Sequence, residues 1–287
     1  MAELTLQGLV GAADGVTTSF LTQTYPAIAS AVAGPIYFVA VLYWVIFGYK
    51  VYAGHSGFQP KDFLAKIVMT VGVFSTLYWG GFATQIYQAF VGFMEGAAST
   101  IMAGSSTPQM LDALYSNVDD VSRTLRSADF YQTAMIVDGI LLFVINCILF
   151  VLALVYMTIA KIGLAITMVL LPLFIGFLMF DQTKQWFMNW VSKMMHFCFL
   201  YILVIAIVRF GFIAFGSAID TAGQASQATN PNLVTSEQTA QLVIVEGVLI
   251  LFMLSVRGWA SALASGASSS TGTLIAITRA ALGKGMK

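Results

Sequence analysis

An all-α polytopic membrane protein is what this sequence predicts: about five transmembrane helices, one re-entrant or half-inserted segment, and interfacial amphipathic helices. Three observations predict it. Hydrophobic residues make up 59% and charged residues 9% of the 287 residues, too little charge to cover a soluble globule of that size. Mean hydropathy is +0.85. The apolar residues gather into runs near the ~20 residues that cross a bilayer, and most Lys and Arg sit between or beside those runs. Formal net charge is zero, so no bulk electrostatic attraction to nucleic acid is expected. Cys147 and Cys198 both fall inside apolar runs and read as small buried residues rather than as a disulfide or metal pair. The first 49 residues hold no Lys or Arg, so the basic start of a cleavable signal peptide is not expected.

Taken in order, residues 1–33 contain Glu3 and Asp14 as their only charges. Leu6, Leu9, Val10, Ala13, Val16, Phe20 and Leu21 form a helical stripe ending before Pro26, the pattern of a helix resting on the outer membrane surface. Residues 34–91 read as a transmembrane hairpin, its first span at 36–52 and its second from 63 to about 91. A basic loop with Lys50, His55, Lys61 and Lys66 joins them. The second span holds Thr70, Ser75, Thr76, Thr84, Gln85 and Gln88, polar groups suited to contacts between helices, and the Gly92/Gly96 spacing permits close approach.

Residues 92–134 form a polar outer loop. Thr107-Pro108 marks a helix start. Leu111, Leu114, Val118, Val121 and Leu125 then recur every three or four residues, a seam that either packs on its own chain or docks on a copy or another subunit. Residues 135–260 form the core membrane region, opening with a span at 135–160 that contains Asp138 and Asn146. The apolar run 161–180 is broken by Pro172 and is expected to dip into the membrane and return, with a complete crossing as the alternative. In 181–196, Trp186, Phe187, Trp190, Val191, Met194 and Met195 face one way and Lys184, Gln185, Asn189, Ser192, Lys193 and His196 the other, so a helix anchored flat at the interface is expected. A span at 197–217 with Arg209, a loop at 218–241, a last span at 242–260 with Glu246, and a flexible basic tail at 261–287 complete the chain.

The tendency of Lys and Arg to remain cytoplasmic puts the N-terminus outside and the C-terminus inside. No GxxxxGK[ST], HExxH, GxSxG or CxxC motif occurs, and only two His are present, so no enzyme, catalytic residue, cofactor or metal is expected. Asp138, Arg209 and Glu246 are ionisable groups within apolar runs. Such groups form an internal salt bridge, line a conduit or meet a partner; a small-molecule or ion transporter using the three as a relay is the competing function.

The run Leu171-Pro172-Leu173-Phe174 through Phe180, followed by Thr183-Lys184 and the Phe187/Trp190 pair, resembles the TrbL/VirB-six family, polytopic inner-membrane subunits of bacterial type IV secretion and conjugation machines. The resemblance is best over 135–260. It implies a non-enzymatic channel or platform subunit that supports DNA or protein translocation and assembly of pilus and stalk. The partners it implies are membrane lipid, further copies in a homo-oligomeric (pentameric) ring, a stalk-forming minor pilin, the major pilin, other inner-membrane secretion subunits, secretion ATPases, and transiently the translocating DNA or protein. The central outer loop is shorter here than in members where a large loop contacts substrate.

Overall fold

The computed structural model describes residues 6–54, 59–102, 107–126, 133–227 and 236–283. Among them every regular element is helical, as expected of a chain whose backbone polar groups must be satisfied in hydrocarbon. Helix α1 is Leu6–Tyr52, α2 Pro60–Thr76, α3 Thr84–Ile101, α4 Thr107–Arg126, α5 Thr133–Val169, α6 Leu171–Ile175, α7 Lys184–Gln227 and α8 Ser236–Gly283. Stretches within α1, α5, α7 and α8 are long and apolar enough to cross a membrane, and α2 with α3 makes a fifth candidate if the bent pair counts as one span. The chain is a multi-pass membrane protein.

Several boundaries differ from those expected. The surface helix over 1–33 and the span after it are one helix, since α1 runs through both Pro26 and Pro35. In an apolar medium a helix survives an internal proline because the freed carbonyl has no water to turn to. The segment 161–180 is not one continuous element. Its first part, 161–169, continues α5 to Val169, and Pro172 stands in the first turn of α6, where a missing N–H removes no intrahelical bond. A 3₁₀ turn, Gly176–Met179, then leads toward α7. Nor is 181–196 a separate interfacial helix. From Lys184 the sequence has no Pro and no Gly before Gly211, so α7 runs on as one helix into the next span. The loop expected at 218–241 shrinks, because α7 extends to Gln227 and α8 starts at Ser236. The tail expected to be flexible is helical to Gly283; His55, Lys284, Lys287 and the Arg279 side chain lie outside the described residues.

The sharp bend falls elsewhere. Between α2 and α3 the axis turns by 91° across a π-type turn, Trp79–Ala83. Gly81 leaves helical geometry there, and a Cβ on it would lie 2.5 Å from the Ser75 carbonyl oxygen, so the turn needs a glycine. The Tyr25 hydroxyl donates to the Thr76 carbonyl at the end of α2, and its ring sits 4.9 Å from Trp79.

Packing divides the chain into two compact units. The first comprises Met1–Ala13, Met94–Ala160 and Phe199–Ser261, the second Asp14–Phe93, Lys161–Cys198 and Ala262–Lys287. In the first, Leu142, Asn146, Leu149, Ala153 and Met157 bury one face of α5 at three- and four-residue spacing. On the opposite face Val137, Ile140, Val144, Ile148 and Val151 are exposed, the mark of a helix meant to meet lipid. In the second unit, Leu21 and Tyr25 of α1, Leu164 and Met168 of α5, and Trp190 and Met194 of α7 are buried. Close helix contact occurs at Gly163, whose Cβ would meet the Phe197 ring. Gly92 and Gly96, the pair expected to permit close approach, face open space within the chain.

Candidate functional site

Charges inside the long helices are the chemistry most in need of explanation. In the second unit Lys161 is 8% exposed, and its Nζ donates to both carboxylate oxygens of Asp14 at 2.6 and 2.8 Å. The two residues are 147 positions apart. Their contact corrects the expected placement of Asp14 on an outer surface helix and Lys161 at the inner face, because an ion pair requires one depth. A legible signal existed: Asp14 is the only ionisable acid or base between Glu3 and Lys50, and Lys161 is the only one between Asp138 and Asp181. Lone charges of opposite sign in two long apolar helices are natural partners.

The first unit holds Asp138, Arg209 and Glu246, the ionisable groups expected within apolar runs. Asp138 on α5 and Arg209 on α7 are half-buried, whereas Glu246 on α8 is 4% exposed. Among the described residues no salt bridge joins any two of them, and Glu246 Oε2 has no hydrogen-bond partner. Glu246 Oε2 remains a buried acceptor without a hydrogen bond among the described residues.

The seam on α4 resolves toward its own chain. Val118, Val121 and Leu125 are buried within the first unit, which withdraws them from a docking surface; the Leu111 and Leu114 side chains lie outside the described residues. Ser122 Oγ donates to the Gly139 carbonyl at 2.9 Å, and a Cβ on Gly139 would meet Leu125 at 2.8 Å, so small residues let α4 press on the start of α5. Asn146 Nδ2 donates to the Tyr115 carbonyl at 3.3 Å, and the Arg126 guanidinium lies 4.6 Å over the Phe143 ring. Asp119, 4% exposed, holds Arg123 at 2.7 Å and Arg126 at 3.7 Å. Burial beside Cys147 and Asp119 raises the Tyr115 hydroxyl's pKa above the usual phenol value, with desolvation the larger cause.

The residues expected to anchor the 181–196 helix divide by role. Trp190 is buried and its Nε1 donates to the Thr167 carbonyl at 2.8 Å, clasping α7 to α5, while Phe187 stacks on it at 5.6 Å. Trp186 remains 55% exposed with its ring against Phe177, and Lys184 is exposed at the first residue of α7. Lys193 lies 5.6 Å over the Phe197 ring. Thr183 Oγ1 donates to the Phe177 carbonyl at 2.8 Å and closes the turn that Pro172 begins.

Comparison with known proteins gives this helical architecture a family. The profile described as TrbL/VirB6 plasmid conjugal transfer protein matches residues 40–256, well over half of the chain. The chain belongs to the TrbL/VirB6 family. The type IV secretion system protein VirB6 of Bartonella henselae is 23% identical to it over 192 residues, 64% of this chain and 59% of that relative's length. The match thus spans less than two thirds of the relative. Lys161, Trp190, Arg209 and Glu246 lie inside the TrbL/VirB6 match, and Asp14 lies before it.

Proposed function

We propose that this chain is a non-enzymatic inner-membrane subunit of a type IV secretion system, a platform or channel component on which conjugative DNA or protein transfer and pilus and stalk assembly depend. The observation that carries this reading is the TrbL/VirB6 match across residues 40–256, which takes in most of the candidate spans. Its partners are copies of itself in a ring, pentameric by family resemblance, together with minor and major pilins, other inner-membrane secretion subunits and the secretion ATPases.

The N-terminus is assigned to the periplasm and the C-terminus to the cytoplasm. Supporting this, Lys50, Lys66 and Lys184 line one cleft of the second unit, so the α1–α2 and α6–α7 connections share a face, and basic residues favour the cytoplasm. For α5 to start from the opposite face, the bent α2–α3 pair must complete a crossing. Five crossings result. The polar helix α4, with Asp119, Asp120, Arg123 and Arg126, then faces the periplasm, where pilus and stalk subunits assemble.

Deleting the gene from a conjugative donor and supplying it back in trans tests the reading. Transfer frequency is expected to fall by orders of magnitude and to recover on complementation, and affinity purification of the tagged chain is expected to recover secretion subunits. Transfer that is undiminished by deletion, or solute transport by the purified chain alone in proteoliposomes, overturns it.

A further inference from the structure

The second unit contains a cleft of about 420 Å³ where the end of α1, the start of α2 and the 178–184 connection meet. Lys50, Lys66 and Lys184 line it together with Asp62, Asp181 and the rings of Tyr43, Phe47 and Phe180. We propose that this cleft binds the headgroup of an anionic phospholipid, whose phosphate is held by Lys50, Lys66 and Lys184.

The lysines are available for it. Among the described residues no carboxylate forms a salt bridge with any of the three. Lys66 is held in place: its Nζ donates to the Tyr43 hydroxyl at 3.0 Å and lies 4.9 and 5.0 Å from the centres of the Tyr43 and Phe47 rings. An ammonium has three donors, so two remain for a phosphate. Three lysines against two aspartates leave one net positive charge, the complement of one phosphodiester.

Location selects a lipid over a soluble phosphate. Lys50 is in the last turn of α1 and Lys184 is the first residue of α7, so the cleft sits where two candidate spans end, at headgroup depth. Tyr52 and Trp186, 92% and 55% exposed, are placed as interfacial aromatics beside it. The cleft wall at Ile46 continues along exposed Leu42 and Val45, an apolar track for acyl chains. The proposal depends on α1 and α7 crossing a membrane and not on the secretion role, so either can fail alone.

Native mass spectrometry of the full chain in a neutral maltoside detergent, titrated with phosphatidylglycerol, phosphatidylcholine or inorganic phosphate, tests it. The wild type is expected to retain one phosphatidylglycerol in preference to phosphatidylcholine. K50Q/K184Q, which alters two exposed side chains and keeps Lys66 on Tyr43, is expected to bind phosphatidylglycerol about 30-fold more weakly, from roughly fivefold per basic group at a membrane surface. K61Q, which lies outside the cleft lining, is expected to bind as the wild type does. Equal retention by K50Q/K184Q with melting unchanged, equal retention of phosphatidylcholine, weakening by K61Q as large as by the double variant, or displacement of the lipid by equimolar inorganic phosphate each overturns the proposal.

Discussion

In the second unit Lys161 meets Asp14, the Trp190 indole meets the Thr167 carbonyl, and the Tyr25 hydroxyl meets the Thr76 carbonyl. In the first unit Glu246 Oε2 is buried without a hydrogen-bond partner among the described residues, whereas Asp119 is paired with Arg123 and Arg126. A buried polar oxygen left without a hydrogen bond is costly. The contrast assigns different work to the two. The second unit, with its Asp14–Lys161 ion pair and its 91° bend, is built to hold its own geometry. The first retains at Glu246 a buried acceptor oxygen with no such contact among the described residues.

The largest effect is expected at Gly81. In G81A the new Cβ would lie 2.5 Å from the Ser75 backbone oxygen, and backbone cannot rotate away as a side-chain tip can, so a loss of about 1–3 kcal/mol is expected. Next comes Asp14. In D14A the Lys161 ammonium, 8% exposed, loses its carboxylate. Breaking a fully buried pair from one side costs about 3–5 kcal/mol; here the Asp14 side chain is half-exposed and solvent screens the pair, so a smaller loss, about 1–2 kcal/mol, is expected. Thermal melting in detergent reads both losses, and the swap D14K/K161D is expected to recover part of the second. A D14A melting curve matching the wild type breaks the contrast, because the second unit would then not depend on its pair. G92A, at an open helical site, is expected to be neutral or slightly stabilising, by up to about 1 kcal/mol, in the same melting assay.

These sites also show what the sequence made legible. Apolar runs of spanning length located the membrane helices because hydrocarbon imposes length and hydropathy directly, and Thr107-Pro108 marked the start of α4 by a local rule. The helix limits at Pro26 and at 196 were not legible, since rules drawn from water overstate how readily a helix ends in lipid. Pro172 was ambiguous by nature: the same residue that breaks a helix interior begins a new helix, and only the register of Leu170 against Leu171 decides which. The bend at Gly81 depends on a contact with Ser75 that no pattern of glycines announces. Grouping Asp138, Arg209 and Glu246 followed their rarity within apolar runs, whereas packing grouped Asp14 with Lys161.

The smallest effect on stability, and the sharpest on the contrast, is expected at Glu246. E246Q keeps the shape and the polarity of the side chain, so the isolated chain in detergent is expected to melt within about 1 kcal/mol of the wild type. If the first unit presents this carboxyl to a neighbouring subunit, the same variant lowers transfer frequency in the complemented donor, because the amide puts an NH2 donor in place of one carboxyl oxygen. Stability and function then part company at one residue. At Asp14 they fall together, since a chain that loses its internal pair loses the scaffold as well. A clear drop in melting for E246Q would instead give Glu246 an internal partner and erase the difference between the units.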